Sequence, residues 1–179
     1  MAHDVATHVR KEMITTGVSN AIFNGLAAVS LAKGAEALPL WGLPASIALD
    51  IAATSMVLLF IVALIMIPLN RSKVRNGKVE AFHWDNSRVL HRFWQRLPQG
   101  LLARAFCFAG LGLAVVAPVS CSYYVILGVE SMTSYDYAVT KGLWAGIMAA
   151  IMCVPMIQLG LSDPQAAGIA AADYERDQF

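Results

Sequence analysis

A chain of 179 residues is one domain's length, but 58% of it is hydrophobic and only 14% charged. Soluble domains hold roughly 45–50% and 25%, and with a mean hydropathy of +0.59 the excess apolar surface has to face lipid. A net charge of +1 and the lack of any recognition motif argue against a nucleic-acid partner.

Charge-free windows place the elements. Between Glu12 and Lys33 lie 20 uncharged residues, between Asp50 and Arg71 another 20, between Arg104 and Glu130 25, and between Lys141 and Asp163 21. At about 1.5 Å per residue each is roughly 30 Å long as a helix, enough to cross the hydrocarbon layer. Backbone in lipid must satisfy its own hydrogen bonds, so the windows are helices. The expectation is an all-α polytopic membrane protein, a single domain of four transmembrane helices at about 11–31, 46–69, 104–129 and 134–160.

Helix 1 starts late and has no small-residue cleavage site after it, which predicts an uncleaved span. It carries Thr16, Asn20 and Asn24 at i, i+4 and i+8, with Gly17 and Gly25 beside them. Such a stripe either hydrogen-bonds a ligand or ion, or joins helix 1 to a neighbour where the glycines allow close approach. Next comes LPLWGLP (38–44), with Trp41 between two prolines as in an interfacial anchor.

Asp50 lies about one turn into helix 2, where the positive end of the helix dipole favours an anion. Lys141 lies about two turns into helix 4. Both helices run in the same direction, so the two charges reach similar depth and are expected to pair. That pair reads either as a lock between helices or as a proton- or ion-coupled binding site.

Residues 70–103 form the long connection. Within it, 88–102 reads as an amphipathic segment lying in the membrane surface. Leu90, Phe93, Trp94, Leu97 and Leu101 take one face, and Arg88, His91, Arg92, Gln95 and Arg96 the other. Arg88, Arg92 and Arg96, with Trp94, are the candidates for holding anionic lipid headgroups. His83, Asp85 and His91 form a weak surface group.

Helix 3 carries Pro118, then Ser120, Ser122, Tyr123 and Tyr124. Thr133 and Asp136 suit the N-cap and N3 positions of helix 4. Cys107, Cys121 and Cys153 all fall within spans without a C-x-x-C pair, which predicts free thiols and no zinc. The segments 61–69 and 148–156 each end an even-numbered helix with a proline, which reads either as two tandem helical hairpins or as chance, since proline is common in membrane helices.

Eleven of the 13 basic residues flank one end of the spans; only Lys33 and Lys141 lie toward the other. The positive-inside rule then puts both termini and the 70–103 loop in the cytoplasm. No nucleotide-binding, nucleophile-elbow or H-E-x-x-H motif occurs, so no catalytic residue, metal or cofactor is expected and the chain reads as a non-enzyme.

The runs SNAIFNG (19–25), ALPLWGLPASIALD (37–50), IPLNR (67–71) and TKGLWAG (140–146) resemble a group of small bacterial four-helix inner-membrane proteins, loosely labelled permeases. The resemblance implies a multi-pass location in the bacterial inner membrane and carries over no substrate, mechanism or catalytic residue. Three function classes follow: a permease-like protein working as a homo-oligomer, a non-enzymatic accessory or assembly subunit packed against a larger respiratory, photosynthetic or transport complex, and a binder of anionic lipid at the cytoplasmic face.

Overall fold

The computed structural model describes residues 4–31 and 37–162. Helix α1 spans Val5–Leu31 and begins just over two turns before the first charge-free window. Asp4 makes this early start possible, because its carboxylate accepts the Thr7 N–H at 3.2 Å and satisfies a donor that the helix cannot.

Helix α2 spans Ile47–Arg75, with the Ser46 hydroxyl accepting the Leu49 N–H at its start. Sequence places its end at 69, just past Pro68, yet the helix runs on for six more residues. Proline removes one backbone bond, and the turns beyond it are held by packing: Asn70 and Val74 are buried. The end is a Schellman turn. Gly77 has φ 61°, its N–H reaches the Val74 carbonyl at 2.9 Å, and the Lys78 N–H reaches the Lys73 carbonyl at 2.9 Å. Gly77→Ala is expected to cost about 1 kcal/mol, the order of the left-handed penalty, read as a lower thermal midpoint in detergent. An unchanged midpoint would mean that the turn does not depend on glycine.

The short helix α3 covers Val89–Gln95 and is followed by α4, Leu101–Leu111. A π-helical turn, Gly112–Val116, leads directly into α5, Ala117–Ile126. Pro118 lies just after the widened turn; its ring crowds the preceding turn and it has no N–H to give, a recognised cause of such a bulge. Helix α6 spans Ser134–Leu161, capped by the Thr133 hydroxyl, which accepts the Asp136 N–H. Strands β1, Ala37–Pro39, and β2, Ser131–Thr133, precede α2 and α6 and pair antiparallel, Leu38 opposite Met132. This two-stranded ribbon ties together the starts of α2 and α6. Their other ends, near His8 and Lys73, form the basic end.

Among the described residues, three helical runs are long and apolar enough to cross a membrane: Ile47–Arg75, Leu101–Ile126 and Ser134–Leu161. Helix α1 has the length, 27 residues, but Thr15, Thr16, Ser19, Asn20 and Asn24 make it more polar, and it is not one of the three.

The expected tandem hairpins are not what packs. Helix α6 lies centrally, with α1 and α2 both packed along it and joined to each other by side chains at the basic end, and α4 packs on α2. The reason is a seam of small residues that lets α1 and α6 meet backbone to backbone. Gly17, Ala21 and Gly25 face Gly142, Gly146 and Ala150. A methyl at Gly142 would come within 2.8 Å of the Ala21 carbonyl oxygen, and one at Gly146 within 2.8 Å of that of Gly17. Sequence neighbours without such a seam have no comparable pull in lipid, where apolar burial by itself does not drive helices together. Two apolar clusters fill the interior. One, around Leu59, Ile67, Phe108 and Met156, lies toward the basic end. The other, around Ile47, Ile51, Tyr124 and Tyr137, lies under the ribbon.

Candidate functional site

The ribbon pins the first turns of α2 and α6 side by side, and this brings Asp50 to Lys141. Lys141 Nζ lies 2.5 Å from Asp50 Oδ2. The Tyr137 hydroxyl, one turn earlier on α6, donates to the same oxygen. Only 3% of the Lys141 side chain is exposed, against 26% for Asp50. The ammonium also stands 5.9 Å from the centre of the Tyr137 ring. Thr54, one turn below Asp50, has its hydroxyl 3.5 Å from Oδ1, at the limit of hydrogen-bond reach. Ile47, Ile51, Tyr124 and Ala138 pack nearby, so Lys141 is shielded while Asp50 keeps partial access to solvent. The carboxylate there meets an ammonium and a phenol at the start of a helix, the end that favours an anion. Protonating it would remove the charge that binds Lys141.

Asn20 and Asn24 do not join this cluster. Each amide turns back on its own helix, Asn20 Nδ2 donating to the Thr16 carbonyl at 2.8 Å and Asn24 Nδ2 to the Asn20 carbonyl at 3.0 Å. The stripe therefore does not bridge helices through its amides; the glycines make the contact instead. Thr16 is buried, its hydroxyl 3.9 Å from the Met66 sulfur. Asn24 lines an open crevice of about 260 Å³ between α1 and α2, with Phe23, Thr54, Val57 and Ile61. Through Thr54 this crevice comes to within one residue of Asp50.

Sequence reasoning missed a second polar group, at the basic end. His8 Nε2 lies 2.7 Å from Asn70 Oδ1, and both side chains are buried. Asn70 Nδ2 donates to the Met66 carbonyl at 2.8 Å, so its oxygen faces His8 and the imidazole must be the donor. One turn on, Lys73 Nζ meets Glu12 Oε1 at 2.6 Å. Windows bounded by charges leave both residues of α1 outside the span. The available signal was the i, i+4 spacing of His8 and Glu12, which shares a face once the helix starts before them.

Within 88–102 the structure forms a helix over Val89–Gln95 only, followed by α4 from Leu101. The helix is only seven residues, and its inner side is not the expected one. Trp94 stacks on Phe108, ring centres 5.5 Å apart and planes at 17°. His91, expected on the polar side, lies among Phe82 and Trp84 and accepts the Asp85 N–H on Nδ1 at 3.1 Å. Leu90 and Phe93 remain exposed. The tertiary contacts of two aromatics outweigh a hydrophobic stripe on so short a helix. Arg88 pairs with Asp85 at 3.2 Å, whereas Arg92 and Arg96 are exposed. The Ser87 hydroxyl and backbone N–H, with Arg88, hold the Asp85 carboxyl below its usual range. Asp85 is thus engaged with Ser87 and Arg88, and among the described residues no three His, Cys, Asp or Glu side chains converge as a metal site would require. Arg176 lies outside the described residues.

Comparison with protein-family models, curated proteins and solved structures gave no match. What bears on function is therefore the geometry and the sequence.

Proposed function

We propose that this is a small permease-like protein of the bacterial inner membrane, without enzymatic activity, in which α1 forms a fourth span beside α2, α4–α5 and α6. The observation that carries the reading is the Asp50–Tyr137–Lys141 cluster. Charged groups within a membrane bundle are costly and by default mark a path or a coupling site. Here the carboxylate has two donors on one oxygen and a polar neighbour, Thr54, leading to an open crevice. Loss and recovery of one proton at Asp50 would release and recapture Lys141, the two-state element that coupling needs. The weight of basic residues at the far end orients that end, with the termini, toward the cytoplasm. The resemblance to permease-labelled four-helix proteins points the same way.

Four helices, of which α1, α2 and α6 pack on one another and α4 on α2, make a thin wall for a solute path, so a path needs a second copy. Gentle detergent extraction from native membranes is expected to yield a homo-oligomer. Recovery as a lone monomer would count against transport. A stoichiometric second protein would favour instead the accessory subunit, whose lipid-facing residues, such as Phe23, Phe106, Ile126 and Ile147, would cover a partner.

A further inference from the structure

We propose that the cavity between α1 and α2 at the basic end binds a phosphate group, carried by an anionic lipid headgroup or free in solution. This rests on residues unrelated to the Asp50 cluster. The cavity measures about 210 Å³ and is lined by Lys11 and His8 of α1, Lys73 of α2, and Lys78 and Val79 just beyond it, with Glu12 in the wall. Three lysines from three separate places in the chain line one small space, Lys73 among them already paired with Glu12.

Their positions are set by backbone. The Schellman turn folds Lys78 back over the last turn of α2, with its N–H bonded to the Lys73 carbonyl. Lys11 follows His8 by three residues on α1, and the buried His8–Asn70 bond fixes that part of α1 against α2. The charge does not cancel within the wall. Glu12 is engaged with Lys73, and His8 gives its Nε2 proton to Asn70. Asp4, just outside, accepts the Thr7 N–H. Lys11 and Lys78 remain as net positive charge facing the cavity. The carbonyls at the end of α2, which would repel an anion, are taken by the turn. Lysines bind phosphate as point charges, and a tetrahedral anion can accept from several at once. Arg92 and Arg96, the expected headgroup holders, sit exposed at a short helix and do not line this cavity.

Full-length protein in neutral detergent is titrated with phosphatidylglycerol, with phosphatidylcholine, and with sodium phosphate against sodium chloride at matched ionic strength. Binding is read by native mass spectrometry for the lipids and by thermal shift for the salts. Phosphatidylglycerol is expected to be retained, and the Lys11→Gln/Lys78→Gln variant to lose roughly tenfold in affinity. A shift with sodium phosphate that the variant loses would support the site with free phosphate as its ligand. Neither ligand binding, or binding equal in the variant, would overturn the proposal. Both lysines are exposed, so the variant should fold; a second readout dispenses with it. Acetylation of Lys11 and Lys78 in the wild-type chain should be slowed by whichever ligand binds, and labelling unchanged by either ligand would also overturn it.

Discussion

Asp50→Ala should lower the thermal midpoint far more than Lys141→Met, although each removes one half of the same ion pair. The two charges lose different things. Without Asp50, an ammonium only 3% exposed is left without its carboxylate, with Tyr137 beside it. A lysine at mid-membrane costs about 3 kcal/mol on insertion scales, and breaking a buried pair from one side costs a similar amount. Without Lys141, Asp50 keeps the Tyr137 hydroxyl, the start of α2 and partial access to solvent, so the loss should be nearer 1 kcal/mol. The double change Asp50→Ala/Lys141→Met removes the stranded charge and should recover most of the stability lost in Asp50→Ala. Two equal single losses that simply add in the double variant would show that the pair is not coupled, and the proposed release of Lys141 on protonation would fail with it.

The second large effect lies in the α1–α6 seam, and there the prediction is an order among glycines. Gly146→Ala should be costly, because the new methyl would meet the Gly17 carbonyl oxygen and the Ala21 Cβ, both at 2.8 Å. Backbone cannot turn aside as a side chain can, so the two helices must separate; overpacking of this kind costs about 1–3 kcal/mol. Gly142→Ala, with the Ala21 carbonyl at 2.8 Å, should behave alike. Gly25→Ala should be mild, since its nearest contact is an ordinary 3.5 Å. Gly110→Ala meets nothing within 4 Å and should be neutral or stabilising by up to about 1 kcal/mol through helix propensity. Thermal midpoints give the order, and hydrogen exchange in α1 should rise for the first two variants alone. If all four behave alike, the seam does not hold α1.

Much of the architecture was legible in the chain because its cause is local. A run such as IAATSMVLLFIVALIMIPLN has no charge for 20 residues, and lipid leaves it only the helical solution. Caps are equally local: Thr133 and Asp136 lie three apart, and so do Ser46 and Leu49. Asp50 and Lys141 could be matched across 91 positions because helices running in one direction from a shared boundary put a given offset at a given depth.

Other features needed the packed structure. Which helix α1 chooses depends on two glycine-containing faces meeting at backbone distance, and no single segment states that. The inward turn of Trp94 and His91 comes from Phe108, Phe82 and Trp84, all outside α3. His8–Asn70 and Glu12–Lys73 join residues 62 and 61 apart once α2 runs past Pro68 and α1 starts at Val5. The sequence by itself determined which segments are apolar enough to cross a membrane, since that depends on transfer of each segment from water. The tertiary structure decided which charges and small residues face each other, since that depends on distances between segments that only packing sets.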